Sequence, residues 1–175
     1  MILHLINGFL GSGKTTAIIS ATKTLMEKGA TVGIVTNDKG HFQVDTAFFQ
    51  SRRIPTRQVT GGCFRCSFSE FEEKIGQLQE EEAPDVIFAE SVGSCVDLVN
   101  TIFSPLRRNT SLQVERTTYS VFADIRLFQY WVNGEPLPFS DAINYLFAKQ
   151  MEEGTIVVLN KADLLQAQER QETLS

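Results

Sequence analysis

Basic residues and long apolar runs are scarce in this sequence. Lysine and arginine together number 16 against 21 acidic residues, so the net charge is −5 and the isoelectric point is about 5.1. This balance argues against nucleic acid or an acidic membrane surface as the main partner, because both attract a basic patch. No run approaches the ~18 apolar residues that a membrane-spanning helix requires. We therefore expect neither nucleic-acid binding nor membrane insertion.

Signals for secretion are also missing. The N-terminus has neither the basic start nor the small-residue cleavage site of a signal peptide, which predicts a cytoplasmic protein. Cysteine is scarce, with three among 175 residues. Because cytoplasmic thiols stay reduced, these cysteines are interpreted first as metal ligands or free thiols rather than as disulfides.

Short apolar segments alternate with helical patterns along the whole chain. This alternation is typical of an α/β domain, and we predict a three-layer P-loop fold with a mostly parallel sheet flanked by helices. The length suits one domain, residues 1–175. Strands are predicted over residues 2–7, 31–36, 57–60, 85–89, 117–123 and 155–159, the last of them buried, and helices over residues 14–28, 44–50, 68–82, 96–103, 125–131 and 140–152.

Residues 8–15, GFLGSGKT, match the phosphate-binding pattern G-x-x-x-x-G-K-[ST] between a predicted strand and a predicted helix. Glycines let the backbone curl so that several N–H groups face one anion, and the helix adds the positive end of its dipole. Lys14 is expected to reach the β- and γ-phosphates, and the Thr15 hydroxyl to ligate Mg²⁺. The alternative is a glycine turn without a ligand. The expected nucleotide contacts here are Gly8, Gly11, Ser12, Gly13, Lys14, Thr15 and Thr16.

A second motif, Asn160-Lys161-Ala162-Asp163, follows the last predicted strand. The Asp163 carboxylate can accept two hydrogen bonds from guanine, whereas adenine lacks that pair of donors and would leave the carboxylate unpaired. The stem of Lys161 can lie over the base, and Asn160 can tie this loop to the phosphate loop. The motif therefore predicts GTP as substrate. The alternative is a polar helix cap at Asp163.

Three further positions are candidates for catalysis. Glu90 closes a predicted strand beside the phosphate loop, where a carboxylate can hold Mg²⁺ or its water, and Gly93 can sense a γ-phosphate through its N–H. Asp38 follows the second predicted strand and can orient the attacking water or reach Mg²⁺. The alternatives are an exposed glutamate at a strand end and a simple turn aspartate.

Cys63 and Cys66 frame the short segment CFRC after two glycines. Two thiolates at this spacing can clamp a Zn²⁺-like ion, but a tetrahedral site needs four ligands. Cys95, His41 or a second subunit could complete the set. The alternatives are a redox pair and two free thiols.

Several segments together resemble one family. They are GFLGSGKTT at residues 8–16, Gly61-Gly62-Cys63, Glu90-Ser91-Val92-Gly93, residues 121–124, Lys149-Gln150 and NKAD at residues 160–163. This set is similar to the CobW-type GTPases, which belong with HypB and UreG among the SIMIBI-class P-loop proteins. Where the family has Cys-x-Cys-Cys, this chain has Cys-Phe-Arg-Cys, with one thiolate fewer and an arginine in place of a ligand.

The resemblance implies a Mg²⁺-dependent GTPase whose hydrolysis controls the delivery or insertion of zinc, cobalt or nickel into a client metalloprotein. It also implies a homodimer formed across the nucleotide face. The family has a further strand and base-contacting loop after NKxD and usually a second domain, so we expect this chain to be a fragment. Isolated turnover is expected to be slow, because no arginine finger is evident.

Two other functions are compatible with the same motifs. A small-molecule kinase would use the phosphate loop without a preference for guanine. A non-catalytic metal carrier would bind nucleotide only to order its fold. Comparing GTP with ATP, and measuring phosphate release, distinguishes these functions from a GTPase.

Overall fold

All six strands of the sheet run parallel in the computed structural model, which describes residues 1–37, 49, 54–108 and 112–174. The order β3-β2-β4-β1-β5-β6 places the first strand in the interior of the sheet. The predicted parallel sheet is therefore confirmed. The strands are β1 (Ile2–Gly8), β2 (Val32–Thr36), β3 (Thr56–Gln58), β4 (Val86–Glu90), β5 (Arg116–Asp124) and β6 (Ile156–Asn160).

Helices lie in the described connections between these strands, as parallel pairing favours. The predicted helix over residues 68–82 is confirmed, whereas the segment predicted as a helix over 96–103 instead forms a π-helical turn, Val99–Phe103, before a short helix. The helix predicted over residues 44–50 falls largely outside the described residues. The helices are α1 (Lys14–Glu27), α2 (Phe68–Glu82), α3 (Ser104–Leu106), α4 (Ile125–Val132), α5 (Asp141–Glu153) and α6 (Ala167–Leu174), with a 3₁₀ turn at Ala162–Leu164.

Apolar side chains cover both faces of the sheet. Leu5 of β1 belongs to the cluster that packs with α2 and α5, whereas its neighbour Ile6 belongs to the cluster that packs with α1. Successive side chains of a strand point to opposite faces, so one buried strand supplies both clusters. The result is the predicted three-layer arrangement. No helix in the described part of the chain is long and apolar enough to span a membrane.

The last strand differs from its prediction. Residues 155–159 were predicted as a buried strand, but Ile156 is 48% exposed and Val157 is 36% exposed. The strand β6 pairs only with β5 and lies at the edge of the sheet. An apolar sequence indicates a strand, but the number of neighbouring strands and helices decides how much of it is buried.

The carboxyl ends of the strands share one edge of the sheet. Ile6 pairs with Glu90, and Asp124 pairs with Asn160. Because the strands are parallel, the loops that follow them emerge on the same side of the domain. This arrangement brings the segments that follow β1, β4, β5 and β6 together, although Ser12 and Asn160, for example, are 148 residues apart in sequence.

Candidate functional site

The loop between β1 and α1 is held in a conformation that requires glycine. Gly8 and Gly13 have φ angles of 137° and 93°, in the region that side chains disfavour. A Cβ at Gly8 would overlap the carbonyl of Phe122, and a Cβ at Gly13 would overlap the side-chain amide of Asn160. The loop runs directly into the N-terminus of α1, and no side chain caps that end of the helix. Its curled backbone and helix N-terminus form an arrangement suited to an anion.

Lys14 is folded over this loop. Its side chain is 7% exposed, and Nζ donates to the carbonyls of Gly8 and Phe9 at 3.0 and 3.3 Å. The ammonium group therefore lies at the loop itself rather than in solvent. A buried cation at a helix N-terminus strengthens the local attraction for an anion.

Thr15 and Glu90 meet beside the loop. The Thr15 hydroxyl donates to the two carboxylate oxygens of Glu90, at 2.9 and 3.1 Å, and Glu90 is only 9% exposed. A hydroxyl and a carboxylate are the oxygen ligands that Mg²⁺ prefers. These two side chains therefore fit the magnesium site predicted from sequence. The alternative of an exposed glutamate at a strand end is wrong.

The loop after β4 is packed against the phosphate loop. A Cβ at Gly93 would lie 3.0 Å from the Leu10 nitrogen, so the two backbones approach closely. Gln150 of α5 donates from Nε2 to the carbonyls of Gly93 and Cys95, at 2.9 and 3.0 Å. A movement of the phosphate loop would thus displace Gly93, and the bond from Gln150 would transmit that displacement to α5. In the sequence, Gln150 is indicated only by the family-like pair Lys149-Gln150.

The Asn7 side chain holds the loop after β4 in place. It is fully buried and donates to the Cys95 carbonyl at 2.9 Å and to the Tyr119 hydroxyl at 3.1 Å. The Ser91 hydroxyl in turn donates to Asn7 Oδ1 at 2.8 Å. Burial raises the pKa of Tyr119, which keeps its hydroxyl neutral. Sequence reasoning missed Asn7, although a polar residue inside an otherwise apolar strand is a detectable signal.

The predicted guanine motif lies next to the phosphate loop. Asn160 donates from Nδ2 to the Ser12 carbonyl at 2.9 Å, which is the link predicted from sequence. Asp163 lies exposed in the 3₁₀ turn, and its carboxylate accepts no hydrogen bond from any residue that the structure describes. Within the part of the chain that the structure describes, Asp163 therefore does not act as the helix cap that was the alternative to guanine binding.

Asp124 joins the same end of the domain, although in the sequence it stood out only as the last residue of the family-like segment 121–124. It accepts hydrogen bonds from the Arg126 N–H, from the Arg126 guanidinium at 3.0 and 2.7 Å, and from Lys161 Nζ at 3.1 Å. The guanidinium contacts, with Lys161 contributing further, lower the pKa of Asp124 to about 2. The carboxylate is therefore ionised throughout the physiological pH range.

The cysteine loop brings thiols together. The Sγ atoms of Cys63 and Cys66 lie 3.0 Å apart, and the Cys66 N–H points to Cys63 Sγ at 3.4 Å. Burial raises the pKa of Cys63, but hydrogen bonds from Cys66, Cys95 and Arg65 outweigh burial and lower it overall. Cys95, which is buried, thus approaches the pair. Among the described residues, no group of three or more His, Cys, Asp or Glu side chains is arranged to hold a metal ion.

Asn37 connects the cysteine loop to the sheet. Its buried side chain donates to the carbonyls of Val59 and Gly62, at 3.2 and 2.6 Å, and accepts from the Phe64 N–H at 3.2 Å. Its own N–H donates to the Glu90 carbonyl at 3.1 Å. One residue therefore contacts both the cysteine loop and the strand end beside the phosphate loop. The predicted positions Asp38 and His41 lie outside the described residues.

Comparison with known proteins gives a family match over nearly the whole chain. The family model described as "CobW/HypB/UreG, nucleotide-binding domain" matches residues 2–175. The urease accessory protein UreG of Aliarcobacter butzleri is 36% identical over 97 residues, covering 50% of this chain and 49% of that protein. The zinc chaperone YeiR of Escherichia coli is 26% identical over 166 residues, covering 91% of this chain and 46% of that protein. The chain thus spans about half the length of these curated relatives.

Solved structures support the fold. The hydrogenase maturation factor HypB of Archaeoglobus fulgidus superposes with a TM-score of 0.63 at 15% identity, covering 99% of this chain and 74% of that one. HypB of Helicobacter pylori, solved with nickel, superposes with a TM-score of 0.61 at 18% identity, covering 99% and 72%. At these identities, the likeness is evidence for the fold alone.

Proposed function

The chain belongs to the CobW/HypB/UreG family of nucleotide-binding domains, and we propose that it is a Mg²⁺-dependent GTPase whose nucleotide state is coupled to the delivery of a metal ion. The observation that carries this proposal is the convergence of Lys14, Thr15 and Glu90 on one glycine loop to which Asn160 is also bonded. This convergence supports a site in which phosphate, magnesium and base would be bound along one edge of the sheet.

Nucleotide binding would require few side-chain movements at the phosphate end of the proposed site. The backbone N–H groups of residues 8–13 and of the first turn of α1, with Thr16, would bind the phosphates, and Lys14 would turn from its carbonyl partners toward the β- and γ-phosphates. Thr15 and Glu90 would hold Mg²⁺, whose positive charge offsets the charge that develops during phosphoryl transfer. The Thr15 hydroxyl and the Glu90 carboxylate already lie within hydrogen-bond distance, so the two ligands are close together before binding.

Hydrolysis requires a positioned water as well. We assign that role to Asp38, which follows Asn37 in sequence, and the Asn37 N–H donates to the Glu90 carbonyl at the end of β4. Gly93 would report the γ-phosphate through its backbone N–H, because its backbone lies against the phosphate loop. With no arginine finger evident in the sequence, turnover of the isolated domain should be slow.

The base end of the proposed site would favour GTP over ATP. The exposed Asp163 carboxylate is available to the two guanine donors, and the Lys161 stem would cover one face of the base. The link between Asn160 and Ser12 fixes the distance between this loop and the phosphate loop. A nucleotide whose base and phosphates are separated by that distance would therefore contact both loops at once.

The cargo in this proposal is a thiophilic ion such as Zn²⁺, Co²⁺ or Ni²⁺. Cys63 and Cys66 would supply two thiolates, and no third His, Cys, Asp or Glu side chain among the described residues is arranged with them to hold an ion. The remaining ligands would come from a client metalloprotein or from a second copy of the chain. An incomplete ligand set suits transfer, because a fully coordinated ion is slow to leave. The related zinc chaperone and the nickel-bound HypB are consistent with this class of cargo.

The decisive experiment compares nucleotides. We expect calorimetry with Mg²⁺ to give GTP affinity at least about tenfold above ATP affinity, because an unpaired carboxylate disfavours adenine. Asp163→Ala should remove the preference, whereas Asp141→Ala, an exposed aspartate at the start of α5, should keep it. Equal affinities in the unmodified protein would instead indicate a small-molecule kinase. Phosphate release at background with GTP, Mg²⁺ and Zn²⁺ would indicate a non-catalytic carrier.

A further inference from the structure

A buried carboxylate lies behind the predicted guanine motif and has no role in the function proposed so far. We propose that Asp124 is a positioning residue that holds Lys161 in place and thereby determines how tightly the base of the nucleotide is bound. This inference rests on the proposed GTP site. It adds a residue from β5 that lies outside the phosphate loop and the guanine motif, in the segment 121–124 that resembles the family.

The first support is the charge arrangement around Asp124. Its side chain is 8% exposed, whereas its two cationic partners, Arg126 and Lys161, are 51% and 36% exposed. The anion is thus the fixed and buried member of the cluster, and the cations reach in from solvent. A buried carboxylate of this kind constrains the side chains that pair with it more than exposed partners constrain each other.

The second support is the backbone of Lys161. Its φ angle is 60°, a left-handed conformation that is unusual for a residue with a long side chain. Such a conformation persists only where surrounding contacts hold it. Two contacts do so here, namely the bond from the Lys161 N–H to Asn160 Oδ1 at 2.8 Å and the ion pair with Asp124 at 3.1 Å.

The third support is the continuity of these contacts with the phosphate loop. Asp124 and Asn160 are neighbours in the register of β5 and β6, and Asn160 bonds to Ser12. The position of the Lys161 side chain is therefore tied at one end to β5 and at the other to the loop proposed to bind phosphate. Asp163 follows two residues later, in the turn Ala162–Leu164, whose Leu164 N–H donates to the Lys161 carbonyl at 3.0 Å.

A simpler role for Asp124 is to cap helix α4, since its carboxylate accepts the Arg126 N–H. The two roles can be separated, because asparagine caps a helix about as well as aspartate but carries no charge. Asp124→Asn therefore removes the attraction for Lys161 and keeps the cap. Lys161→Met removes the same ion pair from the other side and keeps an aliphatic stem of similar length.

The test measures the affinities of GDP, ADP and inorganic tripolyphosphate for the unmodified domain, Asp124→Asn, Lys161→Met, the double variant and Arg126→Gln. We expect both single variants to weaken GDP binding by about tenfold, the factor equivalent to about 1.4 kcal/mol. Tripolyphosphate affinity should stay within about twofold, because the phosphate loop is untouched. The double variant should be no weaker than either single variant, since both changes remove one interaction. Arg126→Gln, the matched control, should bind GDP normally because it keeps the pair between Asp124 and Lys161.

Two results would overturn the inference. One is normal GDP affinity in Asp124→Asn. The other is an equal loss of GDP and tripolyphosphate affinity, which would indicate general disruption. If Asp124→Asn does not fold, Asp124→Ser replaces it in the same comparison, because serine also caps a helix without carrying a charge. Failure of the underlying GTP proposal looks different, because the unmodified domain would then bind GDP and ADP equally.

Discussion

The phosphate loop and the cysteine loop lie on the same side of the sheet but differ in how completely they are formed. Around the phosphate loop, two other parts of the chain make close contacts: the end of β4 with the loop after it, through Glu90 and Gly93, and the end of β6, through Asn160. The cysteine loop gathers thiols but no complete set of metal ligands within the described residues. A site built from backbone N–H groups is finished when the loop folds, whereas a metal site needs a full set of side chains.

The two loops nevertheless share a support. Asn37 bonds to three backbone groups of the segment 59–64 and, through its own N–H, to Glu90. Rearrangement at one loop can therefore reach the other through a single buried side chain. This gives the proposed coupling between nucleotide and metal a physical route. Substitutions at single residues can test how the two loops differ and whether they are coupled.

The largest expected effect is on the cysteine loop. Replacing Cys63 and Cys66 together by serine should abolish binding of one Zn²⁺ per chain, because the pair supplies the proposed thiolates. GTP affinity measured without Zn²⁺ should remain within about twofold, since both thiols lie in the loop after β3 and not in the phosphate loop. Titration with Zn²⁺ and a chromophoric competitor measures the first quantity, and calorimetry the second. Unchanged Zn²⁺ binding would place the metal elsewhere. Cys95→Ser, tested alongside, would show whether the third thiol takes part.

The next effect falls on the phosphate loop. Lys14→Ala should weaken GTP binding on the order of 100-fold, because hydrogen bonds to charged groups contribute about 1.5–3 kcal/mol. Zn²⁺ binding without nucleotide should be unaffected. Lys149→Ala, which removes an exposed lysine paired with Glu152, is the matched control and should bind GTP normally. Similar losses in both lysine variants would mean that overall charge, rather than the loop, controls affinity.

The smallest effect tests the connection between the loops. Asn37→Ala leaves the Gly62 carbonyl and the Phe64 N–H without their buried partner, so urea unfolding should show a loss of about 1–3 kcal/mol. The factor by which GTP changes Zn²⁺ affinity should also fall toward one. Asn100→Ala, at an exposed asparagine bonded to Asp97, should change neither quantity. A coupling factor that survives in a folded Asn37→Ala variant would refute the route through this residue.

Much of the fold and of the phosphate loop could be predicted because the signals are contiguous. The pattern over residues 8–15 contains its glycines, lysine and threonine in one segment, and helix α2 matches its predicted bounds because its apolar face repeats at helical spacing. The link from Asn160 to Ser12 was also predictable, since both follow strands whose ends meet at one edge.

The roles of Asn37, Asn7 and Asp124 could not be obtained in this way. Each acts through partners far away in sequence: Asn37 binds Gly62, Asn7 binds Cys95, and Asp124 binds Lys161. The exposure of β6 was mispredicted for a related reason, because burial depends on neighbours that an apolar pattern does not specify.

By itself, the sequence determined the alternation of strands and helices, the curled phosphate loop and the identity of the candidate nucleotide and metal residues. These depend on the conformational preferences of neighbouring residues and on spacing along the chain. Only the tertiary structure decided which side chains meet: that Thr15 bonds Glu90, that Cys95 approaches Cys63 and that a buried aspartate supports Lys161. Such pairings arise from strand order and packing, which bring distant segments together in ways that local sequence does not encode.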